Sequence, residues 1–192
     1  MIAERQFSAI ERQQMMSAVF ESISHGLNYG TRAEPNTALF HDCLLCPAAT
    51  FVTLTIDGLL RGSIGSISAT EPLVNNIYHN AYSAAFEDPR FLPLNSDEFP
   101  LLDIEISILS ERESLSFRSE DELLQQLQPG ADGLILTEGE TTVTFLPNVW
   151  EQLVDADTFV TELKQTAGLT PHYWSDTLIA ERFSVTSFKK SH

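Results

Sequence analysis

The sequence predicts an α+β fold of two unequal lobes with largely antiparallel sheets flanked by helices. Three observations carry this. Asp57-Gly58 sits between two β-rich runs, one of the stronger hairpin signals in a single sequence. "LLDIEISILS" alternates Leu102, Ile104, Ile106 and Ile108 with Asp103, Glu105 and Ser107, as a half-buried strand does. Helical segments fall at irregular intervals among such strands, without the regular βαβα order of a parallel sheet.

In chain order, Ser8 and Glu11 have capping-box spacing, and apolar residues then recur at helical intervals, predicting a helix over about 8–25 that ends before Gly26. Residues 27–37 carry turn chemistry and read as a loop. The Asp57-Gly58 hairpin follows, with Gly62 and Gly65 suggesting a bulge or a close backbone approach. Thr70, Glu71 and Pro72 open a helix reaching Ala85 or Phe86, with Thr70 as its cap. "DPRFLPLNSDEFP" is a proline-punctuated loop before the 102–108 strand. Glu105 points away from that strand's isoleucines. Ser119 and Glu122 start a short helix stopped by Pro129-Gly130. A second hairpin turns around Glu138, Gly139 and Glu140. "NVWEQL" and "DTFVTELKQTAGL" are helical, with Lys164 in the last turn, where a cation complements the helix dipole. "ERFSVTSF" closes the chain as one strand. The larger lobe takes about 1–110 plus 175–192, and the smaller about 111–174.

Charge and composition narrow the functions. There are 27 Asp plus Glu against 11 Lys plus Arg, a formal net charge of -16. That field repels phosphate backbones and anionic membranes, so nucleic-acid binding is disfavoured. No apolar run reaches the roughly 18 residues of a membrane helix, and "MIAERQFSAI" carries charges where a secretory leader has its apolar centre. With only Cys43 and Cys46 as cysteines, a cytoplasmic protein is expected.

Candidate chemistry gathers at "LLRGSIGS", where a cation, two glycines and a hydroxyl fall within five residues. Arg61, set among strand residues, has two readings: an ion pair with Glu105 or Asp88 tying segments together, or a fork gripping a carboxylate or phosphate. Gly62 and Gly65 would let a ligand near the backbone amides, with Ile64 between them counted in the same binding segment. Ser63 as a nucleophile needs a positioned base, and no G-x-S-x-G elbow surrounds it. His79 is read as a surface histidine. Glu105 is the candidate acid or base. In "FEDPRF" Asp88 caps the turn and Pro89 stops the helix, with Arg90 a second candidate clamp. His41, Cys43 and Cys46 offer a C-x2-C pair beside a histidine, but a structural zinc site takes four ligands, so buried thiols are expected and no metal or cofactor is assigned.

In order, "FVTLTIDGLLRGSIGS", "NAYSAAFEDPRF", "LDIEISILS", "PGADGLILTEG", "TFLPNVWEQL" and "AGL" resemble the AMMECR domain family from about Phe51 to the C-terminus. The resemblance implies a single such domain of two unequal lobes with a cleft between them, lined by the motif that here reads Arg61 to Gly65. Ser63 stands where the family usually has cysteine. The family's activity is unsettled, and similar domains occur with a Memo-like protein and a radical SAM protein. The expectation is therefore a binding or adaptor protein acting with such partner enzymes. The alternative is an enzyme on a small anionic metabolite, with Arg61 and Arg90 as clamps, Glu105 as acid or base and Ser63 as hydrogen-bond donor.

Overall fold

The computed structural model describes residues 6–153 and 155–190. Helix α1 (Ala9–Tyr29) opens on the expected capping box: Ser8 Oγ accepts from Glu11 N, and Glu11 Oε2 accepts from Ser8 N at 2.7 Å. It runs through Gly26, contrary to expectation, because that glycine serves packing rather than termination. A Cβ there would lie 2.3 Å from the Phe86 ring, whereas Gly30, at φ 67°, supplies the left-handed cap.

Strands β1 (Thr50–Ile56) and β2 (Leu59–Gly65) form the Asp57-Gly58 hairpin, and both turn residues adopt positive φ, as the tight two-residue turn requires. Helix α2 (Leu73–Phe86) follows, but Thr70 does not cap it. Pro72 takes the cap position, and the first free amide, Leu73 N, is satisfied instead by Cys46 O at 2.9 Å. Strand β3 (Asp103–Leu109) keeps Ile104, Ile106 and Ile108 at 1% exposure or less.

The chain then builds β4 (Glu113–Ser114), α3 (Glu120–Gln126), β5 (Gly133–Glu138), β6 (Thr141–Phe145), α4 (Ala156–Thr166), β7 (Ile179–Phe183) and β8 (Val185–Lys190). "NVWEQL" forms a 3-10 turn over Pro147–Glu151. The terminal run is two strands broken at Ser184. They belong to different sheets, ordered β2-β1-β3-β8 and β4-β7-β5-β6.

Two compact units result, one running through Leu109 and resuming at Thr186, the other Ser110–Val185. Residues 175–185, which the sequence reading gave to the larger lobe, fall in the second unit because β7 pairs with both β4 and β5. The first unit's core joins Met15, Val19 and Ile23 of α1 to Leu73, Val74 and Ile77 of α2 and to Val52, Leu54, Ile104 and Ile106 of the sheet. Thr50, Asn76 and Asn80 form a buried polar knot. Asn76 Oδ1 accepts from Thr50 N and Oγ1, and Asn80 Nδ2 donates to Thr50 O, fixing α2 against β1.

In the second unit, Leu123, Leu134, Leu136, Val160 and Leu163 surround Phe159. That ring stacks on Trp150 with centroids 3.8 Å apart. Lys164, read from the sequence as a cation for the helix dipole, is 1% exposed, and its ammonium donates to Glu120 Oε1 at 2.5 Å.

Candidate functional site

The predicted site is built on β2, the edge strand of the first unit's sheet. From the turn, Ile56 faces Leu59 and Thr55 faces Leu60, but Leu54 faces Gly62. Arg61 is the extra residue of a β-bulge, and every later pairing shifts by one. Ser63 therefore lies opposite Thr53 rather than Val52. The glycines answer to packing: a Cβ on Gly62 would sit 2.0 Å from Ala84 O of α2, and one on Gly65 would enter the Phe51 ring.

Ser63 turns its backbone groups to the outer edge, where the loop after α2 holds them. Its amide donates to Asp88 Oδ2 at 2.9 Å, and Arg90 Nη2 donates to its carbonyl at 3.1 Å. Asp88 and Arg90 also pair with each other at 2.6 Å. Together they occupy the donor and acceptor that another strand would use, which blunts the edge. The Arg90 guanidinium lowers the Asp88 pKa to about 2; burial opposes this and the Ser63 amide assists.

Arg61 pairs with neither Glu105 nor Asp88, the two partners anticipated from the sequence. Glu98 takes it in a two-point grip, Nε to Oε1 at 2.7 Å and Nη2 to Oε2 at 2.9 Å, while Nη2 also reaches Leu92 O. This grip raises the Arg61 pKa despite desolvation and lowers that of Glu98. Arg61 Nη1 is buried with no hydrogen-bond partner among the described residues.

Ser63 Oγ shares a hydrogen bond with Thr53 Oγ1 at 2.8 Å. Thr53 pairs across its other side with Glu105, whose carboxylate lies 3.2 Å from the Lys189 ammonium. Ser63, Thr53 and Glu105 thus form one cross-strand row. His79 stands between Glu71 and Glu34, 3.0 Å from each, and gives Ser63 no base. Arg61, Ser63, Asp88 and Arg90 are therefore brought together, with Glu105 one strand further on. Sequence reasoning missed Glu98, Thr53 and Lys189; counting residues from the turn finds Thr53 only once the bulge is known.

Of the two cysteines, only Cys43 is buried, correcting the expectation for both. Elsewhere, a cavity of about 680 Å³ in the second unit is lined by Phe117, Arg118, Glu122 and Trp174 among others, and contains none of the predicted site residues.

The AMMECR1 family model matches residues 16–188. The chain belongs to the AMMECR1 family. A protein from Methanothermobacter thermautotrophicus is 37% identical over 127 residues, covering 66% of each chain. One from Methanosarcina barkeri is 38% identical over 125 residues, covering 65% of this chain and 61% of its own. The match thus spans less than two thirds of these curated relatives. The crystal structure of uncharacterized protein PH0010 from Pyrococcus horikoshii superimposes with a TM-score of 0.85 at 28% identity, covering 92% of this chain and 90% of that one. No helix among the described residues is long and apolar enough to cross a membrane.

Proposed function

We propose that this AMMECR1-family chain is a cytoplasmic binding or adaptor protein that engages partner enzymes, of the Memo-like and radical SAM kinds, through the surface around Arg61–Gly65. One observation carries the reading. The polar groups of the motif are engaged within the chain, Arg61 by Glu98, the Ser63 backbone by Asp88 and Arg90, and its hydroxyl by Thr53, while apolar side chains beside them face solvent. Leu59 is 74% exposed, and Leu92, whose carbonyl holds Arg61, is 84% exposed. Exposed apolar side chains beside polar groups held largely by their own chain suit a protein partner. Binding to a purified Memo-like or radical SAM protein tests this. Leu92→Glu should weaken the complex at least about tenfold with an unchanged melting temperature. Absence of any complex, together with turnover by the isolated chain, would overturn the reading.

The alternative, an enzyme acting on a small anionic metabolite, draws support from the buried, unpartnered Arg61 Nη1. A thermal-shift screen of anionic metabolites discriminates: a ligand that stabilises the wild type and fails with Arg61→Ala favours the enzyme.

A further inference from the structure

Glu11, at the start of α1, meets two side chains from about thirty residues on, His41 and Cys43, in the turn before β1. Glu11, His41 and Cys43 each present one ligand-type atom, all within 4.8 Å of one another. Cys43 Sγ lies 2.9 Å from Glu11 Oε1, and His41 Nδ1 lies 3.5 Å from the same oxygen. We infer that this cluster is a binding site for a divalent transition-metal ion of the zinc class, held by the Glu11 carboxylate, His41 Nδ1 and the Cys43 thiolate.

Two of the three spacings lie near what such an ion needs, and His41 Nδ1 would exchange its 3.5 Å hydrogen bond from the Cys43 amide for the metal. Zinc bonds of about 2.0–2.3 Å in tetrahedral array place ligand atoms about 3.3–3.6 Å apart. The histidine–carboxylate spacing already falls there, and the sulfur–carboxylate spacing opens by about 0.6 Å when the metal replaces the thiol proton. That proton leaves to solvent; no redox step is involved. The donor set of one thiolate, one imidazole and one carboxylate suits a borderline-soft ion. It leaves the fourth tetrahedral position to water or an incoming ligand.

The surroundings orient the donors. The Ser8 amide holds Glu11 Oε2, which turns Oε1 toward the cysteine and histidine. Gln14 Oε1 accepts from His41 N at 3.1 Å and anchors the histidine backbone to α1. Such supporting hydrogen bonds fix ligand orientation in metal sites. Glu11 and Cys43 are buried, whereas the His41 side chain is 57% exposed and leaves a route for the ion from solvent. The C-x2-C pair, to which the sequence assigned no metal, supplies only Cys43 to this cluster. Cys46 is exposed and does not belong to the cluster, and the third donor comes from Glu11, which the capping box alone seemed to explain.

Cobalt(II) titration of the chelator-treated protein is the test, since tetrahedral cobalt bound to a thiolate has a distinctive charge-transfer absorption. One equivalent should bind with that signature, and zinc should displace it. Cys43→Ser should abolish the band and Cys46→Ser should leave it intact. His41→Ala removes a half-exposed side chain and one 3.5 Å capping bond from the Cys43 amide; with its fold verified by circular dichroism, it should weaken zinc at least about tenfold in competition with a chromogenic chelator. If Cys43→Ser misfolds by circular dichroism, the His41→Ala result decides. Absence of the band in the wild type, its loss in Cys46→Ser, its survival in a folded Cys43→Ser, or unchanged zinc affinity in His41→Ala would each overturn the site.

Discussion

The two units bury polar groups in different ways. Between α2 and β1 the first buries a neutral knot, Thr50, Asn76 and Asn80, in which Asn76 Oδ1, Asn80 Nδ2 and Thr50 Oγ1 each have more than one partner, and its buried carboxylate Asp88 likewise accepts from both Ser63 and Arg90. The second holds a charge, Lys164, which donates to Glu120 Oε1 and, at a longer 3.4 Å, to Tyr173 O. Their apolar cores differ too. Aliphatic side chains from two helices and the sheet share the load in the first, while the second centres on the stacked Phe159–Trp150 pair. Shared loads tolerate single losses. A concentrated one does not, so the second unit should be the more fragile to point substitution.

The largest effect should come from Phe159→Ala, which empties the centre of the smaller core at about 4 kcal/mol. Trp150 and Trp174 both lie in the second unit, so tryptophan fluorescence reports on that unit alone. It should lose its folded signal while much of the far-ultraviolet dichroism persists. Coincident loss of both signals would break the contrast and make the units one cooperative body.

Next, Glu120→Ala should cost about 3 kcal/mol by leaving the Lys164 ammonium buried without its carboxylate. Lys164→Met should cost less, because it removes the charge but keeps the packing, and Glu120 is open enough to return to water. Equal costs in a denaturant titration would mean the pair acts through shape rather than charge.

In the first unit, Gly62→Ala should destabilise by about 2 kcal/mol, since its Cβ meets the backbone carbonyl of Ala84 and α2 must yield. Chemical denaturation measures this. A neutral result would show that α2 shifts freely and that the shared-load account of this unit is too rigid.

These strengths and weaknesses were unevenly legible. Ser8 with Glu11 and Asp57 with Gly58 act within a few residues, so helix α1 and the first hairpin could be read directly from the sequence. Gly26 could not, because its meaning lies in Phe86, sixty positions away. The site suffered in the same way. Arg61, Ser63, Asp88 and Arg90 stood out by residue type, but the one-residue bulge reset the register that sets Ser63 against Thr53. Choosing Glu98 over Glu105 for Arg61 depends on where a proline-rich loop folds back, and no local pattern encodes that.

The smallest effect sharpens the comparison at the edge strand. Asp88 has a pKa lowered to about 2 in the folded state, against 3.8 for the free side chain. Its stabilisation is therefore fully present above about pH 4 and lost as pH falls from there toward 2. Asp88→Asn should cost about 1–2 kcal/mol near neutrality, moderated by solvent at the exposed Arg90, and the gap from wild type should close across that acid window. Parallel pH profiles for the two proteins would remove the charge pair from the account.

The order of strands carries a further consequence, for the time course of folding. Three strands of the first sheet come early in the chain, but the fourth, β8, arrives only after the entire second unit has been threaded through. The Ser107–Ser187 hydrogen bond closes a loop of 80 positions. A nascent or refolding chain therefore holds β3 with one flank unpaired until β8 arrives. That interval, rather than any weakness of the finished sheet, is when this protein is most exposed to wrong pairings.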